Sequence, residues 1–529
     1  MKARPKTASA GAILVAVIVA LALAVAPSTA FAQSSSPSDA PDLLGEYAGP
    51  QTTSAAAAGQ PTAPSPEAQV SGKRGKGLEF GYGDPLFVSQ DPSTRRKALE
   101  EADATNAEVL RLQLKWSDIA PDSRGGGFDP RDPASSQYDW DVADAAITGA
   151  IEQGYRPILM IYGIPDWAEG ANRPAEAMRG TWKPNPDDVA DFGIAIARRY
   201  SGNFQSLPQV RDYMLFNEPN LPTQLTPQWK GKTGKKPASP AIYVKALNAF
   251  YDAVHGVSNS NRVITAGTAP YGFPAGFGFP EEKYTYSMRP LLFWRTALCV
   301  KGNGKAQRKC KTKPRFDVLA HHPINTAGGP GRSAIHPDDI STPDLHNLVD
   351  VLRAAEKKGN ALPRGKHPVW ATEIWWESNP PDNFKSPTFN NPSLKKQARW
   401  YTEAIYSLWK QGASMVLLYQ IRDEPHYGAP GRFTGSSYET GVYFVDWKPK
   451  PSAQAVAFPF LGERKSKKKV KLWGKAPASG KVVVKNRGKK VAKFKVGAGE
   501  VFTKKVKLKG KAKLSATVGG TKSLSYKVK

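Results

Sequence analysis

The chain has 529 residues and a formal net charge of +28, with 13 Trp, 45 Pro and only 2 Cys. Beyond one N-terminal run, no stretch is apolar enough to span a bilayer, and there is no cysteine cluster for a metal, which excludes a polytopic membrane protein and a cysteine-ligated metalloprotein. The length suits a barrel of about 250 residues or more with loop insertions and a small second domain.

In chain order, Lys2, Arg4 and Lys6 precede an apolar run from Ala12 to Ala26 and an Ala30-Phe31-Ala32 site, the pattern of a secretory leader over 1–32. The run is shorter than the ~20 residues that cross a bilayer, so no stable membrane insertion is expected after cleavage. Residues 33–76 are Ser, Pro, Ala, Gly and Gln with few aromatics, too little apolar surface to offset ordering, and read as a disordered linker.

From Gly77 onward, strand and helix patterns alternate eight times. Strands are expected at Leu78 to Gly83, Glu108 to Trp116, Pro157 to Tyr162, Val210 to Phe216, Val263 to Gly267, Phe316 to His321, a run ending at Glu373, and Ser414 to Gln420. Pro157 to Tyr162 is a continuous apolar run, as a strand buried on both faces requires. A long loop holding Tyr271, Phe273, Phe277 and Phe279 follows the fifth strand. Crossovers long enough for parallel connections favour a (β/α)8 barrel over 77–462, in preference to a doubly wound sheet. Gly81-Tyr82-Gly83 runs into Asp84-Pro85 and not into a helix, so a dinucleotide fold has no support.

Two of these strands end in a carboxylate. Val210 to Pro222 reads VRDYMLFNEPNLP, and Pro219 must stop the strand just after Asn217 and Glu218. His367 to Trp376 reads HPVWATEIWW, with Glu373 before an aromatic pair. In a (β/α)8 barrel the C-terminal ends of all strands share one rim, so these glutamates face one pocket, and paired carboxyls suit glycoside hydrolysis.

On these motifs the chain resembles clan A glycoside hydrolases, nearest families 39 and 5, over about Gly77 to Phe460. The resemblance implies that Glu218 on strand 4 is the general acid/base, Glu373 on strand 7 the nucleophile, and Asn217 a contact to the substrate 2-hydroxyl. It points to His322, in an Asp-x-x-x-x-His-Pro setting, and to Arg111 on strand 2 as a donor to the nucleophile; a structural ion pair is the rival reading for Arg111. Period-two alternation lets only one of His321 and His322 line the pocket. Trp167, Trp375 and Tyr419 are expected against the sugar. The chain departs from its relatives at Ile324, where many carry tyrosine, and at Tyr419, where many carry tryptophan. The first leaves open which group orients the nucleophile, and the second implies a changed substrate.

The expected activity is that of a retaining O-glycosyl hydrolase with a carbohydrate substrate, no cofactor and no metal, since no His-Glu-x-x-His spacing is present. A catalytically silent carbohydrate-binding protein on the same scaffold is the alternative, although it would not require both glutamates. Cys299 and Cys310, alone in a chain read as secreted, are expected to form a disulfide.

From Glu463 to Lys529 there are 23 Lys+Arg and 2 acids, so a net +21 sits in the last 67 residues. Apolar and lysine residues interleave at Lys481 to Lys485, Val491 to Val496, Thr503 to Leu508 and Ser523 to Val528, the pattern of a small β-sandwich with one packed and one cationic face. Such a face suits an anionic cell-wall polymer or acidic polysaccharide, a solubilising role being the rival. Without an aromatic stacking set, nucleic acid is not expected. The protein is accordingly expected outside the cell or at the wall.

Overall fold

The structure, a computed structural model, describes residues 77–175, 177–230, 236–272, 286–302, 304–307, 310–325, 328–378, 392–425 and 438–528. The expected leader, the linker and the aromatics Phe273, Phe277 and Phe279 lie outside the described residues.

Eight parallel strands form one sheet: β1 (Glu79–Gly83), β2 (Val109–Lys115), β3 (Arg156–Tyr162), β4 (Asp212–Leu215), β5 (Arg262–Thr265), β6 (Leu319–His321), β7 (Val369–Ile374) and β8 (Ala413–Leu418). Their order is β5-β4-β3-β2-β1-β8-β7-β6. The two ends meet through Ile264↔Val318 and Thr268↔His321, so the sheet closes into a barrel. At this seam the Thr265 hydroxyl accepts the Ala320 amide at 2.9 Å, a side chain standing in for a missing carbonyl in the ladder.

Besides the one-turn helix Trp116–Ile119, seven α-helices among the described residues lie between consecutive strands and an eighth follows β8: α1 (Pro92–Asp103), α2 (Asp141–Glu152), α3 (Pro186–Arg199), α4 (Ser239–Val257), α5 (Pro290–Ala297), α6 (Leu345–Lys358), α7 (Leu394–Lys410) and α8 (Pro451–Ala457). Their starts follow local chemistry. Asp91 accepts the amides of Ser93 and Thr94 ahead of Pro92, Asn185 does the same for Asp187, and α6 ends on Gly359 in the left-handed region. Alternation then sorts the strand residues into two layers. Ile158, Met160, Met214, Ile264, Val318 and Trp370 fill the barrel interior, while Leu159, Ile161, Tyr213 and Leu215 meet the helices. At the end where strands begin, Asp212 pairs with both Arg156 and Arg262, whose guanidiniums lie over the Trp370 ring, so this end is plugged by a compensated charge cluster.

The C-terminal region is a sandwich of two antiparallel sheets. Its strands are β9 (Phe460–Ser466), β10 (Lys469–Lys475), β11 (Gly480–Asn486), β12 (Lys489–Val496), β13 (Val501–Lys507), β14 (Lys513–Val518), β15 (Thr521–Lys522) and β16 (Tyr526–Lys527). One sheet has the order β9-β10-β13; the other is β12-β11-β14-β15, with β16 also on β14. The sandwich begins at Phe460, ahead of the expected residue 463, because Phe458 and Phe460 pack into its core with Phe502. Ser523 to Val528, expected as one strand, instead carries only the two-residue β16, while Ser523 turns back to bond Ala516. The sandwich docks on the barrel through the buried Trp473 of β10, which packs on Tyr406 and Trp409 of α7 at ring distances of 5.1 and 5.8 Å. Lys475 reaches Glu108, the residue before β2, at 3.0 Å. That contact lies where a barrel strand begins, at the end opposite the rim.

Cys299 and Cys310 face each other at bonding distance, their Cα atoms 5.7 Å apart, between α5 and β6. Peptide mapping of non-reduced protein is expected to recover the two half-cystines joined. Reduction should lower stability by about 2–3 kcal/mol under the chain-entropy treatment of so short a loop; two free thiols would contradict the pairing.

Candidate active site

Four residues from four strand ends converge on the rim. Arg111 shares the inward parity of Val109 on β2. Glu218 lies just past β4, where Phe216 and Glu218 adopt positive φ of 68° and 33°. The Glu218 amide still donates to the Gly267 carbonyl at 3.0 Å, which ties the turn to the end of β5. His322 follows β6 directly.

Glu373 is aimed by a bulge. Val416 and Leu418 of β8 pair with Ala371 and Ile374 of β7, so β7 carries one residue more than its partner. Strict alternation from the inward Trp370 would turn Glu373 toward the helices; the extra residue resets the parity before Ile374, which does face them.

The four side chains form one continuous buried network. The Arg111 guanidinium donates to Glu373 Oε1, and its other terminal nitrogen lies 3.3 Å from His322 Nε2. His322 Nδ1 is 2.9 Å from Glu218 Oε1 and 3.7 Å from Glu373 Oε2. An oxygen of each glutamate and a His322 nitrogen all lie within 4.8 Å of one another. Two glycines make room: a Cβ at Gly267 would meet His322 Nε2 at 2.1 Å, and one at Gly83 would meet the Arg111 guanidinium at 2.9 Å.

Arginine carries only donors, so His322 Nε2 must accept and the imidazole proton sits on Nδ1, facing Glu218. Burial, reinforced by Arg111, pushes the His322 pKa down to about 4, leaving the ring neutral at physiological pH. Burial raises both carboxyls. At Glu373 the adjacent Arg111 opposes that rise directly; at Glu218 the donor is a neutral imidazole, and the Glu373 charge adds to the rise. The one fixed positive charge bonds Glu373 and not Glu218, which favours the charged form on Glu373 and the proton on Glu218.

His321 points elsewhere, between the Thr268 hydroxyl at 2.9 Å and the Ile340 carbonyl at 3.0 Å. Asn217 is buried, and among the described residues its Oδ1 has no hydrogen-bond partner. Trp375 and Tyr419 are joined through Tyr438, whose ring stands edge-on to both at 5.8 and 6.3 Å, making an aromatic wall over the ends of β7 and β8. Trp167 is tied to a different cluster: its indole donates to the Pro121 carbonyl at 2.7 Å and packs on Trp116 and Phe128.

Sequence reasoning missed Tyr438 and the polar group behind it. Burial, with the charges of Glu377, Glu424, Glu218 and Glu373, holds the Tyr438 phenol far above its usual range, which places it among all four carboxyls. Burial, then Asp423 and Glu424, raises Glu377 to about 8. The buried Lys450 bonds Asp423 at 2.6 Å and Ser378 at 3.0 Å. Tyr438 follows a sequence stretch with several glycines and no periodic signal, and Lys450 is one lysine of a Lys-Pro-Lys run, so neither stands out locally.

Glu218, His322 and Glu373 offer three ligand atoms close enough for a cation. The chemistry of the set argues against one: Arg111 already neutralises Glu373, and the proton on Nδ1 removes the imidazole lone pair facing the glutamates.

The two adjacent histidines are expected to be neutral and of opposite tautomer. His321 must donate from Nε2 to the Ile340 carbonyl, whereas His322 donates from Nδ1. Long-range ¹H–¹⁵N correlation spectra should show both patterns unchanged from pH 8 down to about 5, each ring gaining its second proton only near its lowered pKa of about 4. A shared tautomer, or titration near the ordinary value of about 6.5, would contradict this.

No family model and no curated protein matches the chain. Among solved structures it is similar to a family 39 glycoside hydrolase from the gut symbiont Bacteroides cellulosilyticus WH2, at 14% identity and a TM-score of 0.47, over 82% of this chain and 81% of that one. It is also similar to a GH5_18 protein from Streptomyces cattleya in complex with GlcNAc, at 15% identity and a TM-score of 0.44, over 72% and 79%. A glucosidase from Croceicoccus marinus matches at 12% identity and a TM-score of 0.45, over 81% and 80%.

Proposed function

We propose that the protein is a secreted retaining glycoside hydrolase that cleaves O-glycosidic bonds of an oligo- or polysaccharide by double displacement. The observation that carries this reading is the approach of Glu218 and Glu373 to within 4.8 Å, with the only guanidinium of the network on Glu373. Retaining sites hold their carboxyls about 5–5.5 Å apart, whereas inverting sites need about 6.5–9.5 Å to admit a water between them.

In the first step Glu373, ionised against Arg111, attacks the anomeric carbon. Glu218 gives its proton to the glycosidic oxygen, and the leaving sugar departs with that bond's electron pair. In the second step Glu218 takes a proton from water, the resulting hydroxide attacks the same carbon, and the Glu373 ester is released. His322 holds Glu218 without adding charge, while Arg111 holds Glu373. Asn217 Oδ1, buried and unpartnered, is placed to accept from a sugar hydroxyl, the 2-hydroxyl in the clan A reading. Trp375 and Tyr419 form an apolar wall for the ring, and the tyrosine in place of the relatives' tryptophan reshapes that subsite. Trp167, its indole bonded to the Pro121 carbonyl, would shape the loop after β3 and not meet the sugar through its ring nitrogen. Export through the N-terminal leader and retention on an anionic wall polymer by the lysine-rich domain complete the proposal.

The test is azide rescue after a screen of aryl glycosides. Glu373→Ala should abolish turnover and, with azide, form a glycosyl azide of inverted configuration. Glu218→Ala should lose about 10²–10⁴-fold on substrates with poor leaving groups, keep the first step on activated aryl glycosides, and give a retained azide. Wild-type rates in both variants would overturn the assignment and favour a silent carbohydrate-binding scaffold.

A further inference from the structure

The sandwich spends its two outer faces differently. The face of the β9-β10-β13 sheet that carries Trp473 is occupied by the barrel, and Glu463 at its edge bonds the Tyr406 hydroxyl at 2.8 Å. The other sheet turns Val482, Val484, Leu514 and Ala516 inward, all buried. Its β15–β16 edge also meets the barrel, where Tyr526 bonds Thr402 at 2.9 Å, whereas on the opposite face of β11 and β12 Lys481, Lys485, Lys490, Lys493 and Lys495 are exposed.

The register of this ribbon sets like charges against each other. Lys481 lies opposite Lys495, Lys485 opposite Lys490, and Lys493 opposite Val483. Cross-strand neighbours have Cβ atoms about 4.5–5.5 Å apart, and like charges at that distance destabilise a sheet. β11 and β12 contain no acid, and among the described residues none of these five lysines forms an ion pair. The two acids of the region are used elsewhere: Glu463 at the docked edge, and Glu500 on the Gly497 amide at 2.7 Å. A solubilising surface needs charge but not like charges paired across a ladder, where mixed signs would keep solubility without the repulsion.

We propose that the exposed face of the β11–β12 ribbon is a docking surface for an acidic polysaccharide, holding the chain on an anionic glycan while the rim stays uncovered. The face carries no exposed large apolar or aromatic residue among the described ones, so it offers nothing for bases to stack on or for insertion into a bilayer. Charge alone selects a flexible or extended polyanion. That the polyanion is a glycan rests on the reading of the barrel as a glycosidase; the cationic register does not.

The experiment uses the full chain and measures binding without turnover, so a barrel that cleaves nothing and a face that holds nothing give separate results. Retention would be compared on immobilised polygalacturonate, a neutral glucan, duplex DNA, and phosphatidylglycerol-containing vesicles at low and high salt. One variant replaces Lys481, Lys485, Lys490, Lys493 and Lys495 with Gln. A control makes the same change of net charge with the exposed Lys467, Lys468, Lys504, Lys509 and Lys511, none of which faces another lysine across a ladder. The proposal expects salt-sensitive binding to polygalacturonate that weakens roughly tenfold or more in the first variant, much less in the control, with aryl glycoside turnover unchanged in both. Equal losses in the two variants, no loss in the first, or tighter binding to DNA or vesicles than to polygalacturonate would overturn it.

Discussion

A single arginine governs the rim. Arg111 is fully buried, always charged, and lies against Glu373 on one side and His322 on the other. Its place has three consequences. Glu373 is the carboxyl with a permanent counter-charge; the imidazole proton is forced to the far nitrogen; and the second carboxyl meets a neutral donor and not a cation. Removing one partner of a buried ion pair leaves the other uncompensated, at a cost of about 3–5 kcal/mol. The network is therefore a constraint on folding as well as on protonation. The guanidinium bonds one of two acids of the same residue type and not the other, which favours the charged form on Glu373 and the proton on Glu218.

Backbone geometry makes that arrangement possible. Glu218 and Phe216 hold positive φ at the end of β4, the extra residue of β7 turns Glu373 inward, and Gly267 leaves the space His322 occupies. Each is a local departure from regular structure at the C-terminal rim. The opposite end of the barrel is conventional, closed by Asp212 between two arginines over Trp370, and the sandwich contact at Glu108 falls on that side. Strain and compensation are thus separated along the barrel axis, with the strained end holding the candidate site.

The barrel strands and helices were legible because burial on two layers imposes long apolar runs punctuated by proline and glycine, as in Pro157 to Tyr162. Glu218 and Glu373 were legible because each closes such a run. The inward aim of Glu373 was not: a bulge is a relation between two strands and leaves no mark in one. Tyr438 and Lys450 reach the site from a loop and a turn far along the chain, and only the closed barrel brings them behind β7 and β8. Trp167 shows the reverse case. Its position after β3 marked it for the sugar, while its indole is engaged by Pro121 and the Trp116 cluster. In the sandwich, lysine alternation revealed β11 to β13. It did not reveal β9, where alternation is weak around Gly462, or β10, whose outward Trp473 faces another domain and not solvent.

The central claim is that two carboxyls this close act from opposite sides of the anomeric carbon, Glu373 as nucleophile and Glu218 as acid and then base, with no room for a water between Glu373 and that carbon in the first step. It is tested most directly by ¹H NMR of the wild-type reaction on an aryl glycoside of known anomeric configuration, followed before mutarotation equilibrates the product. The account predicts that the first-formed sugar keeps the anomeric configuration of the substrate. A first-formed product of opposite configuration would contradict it.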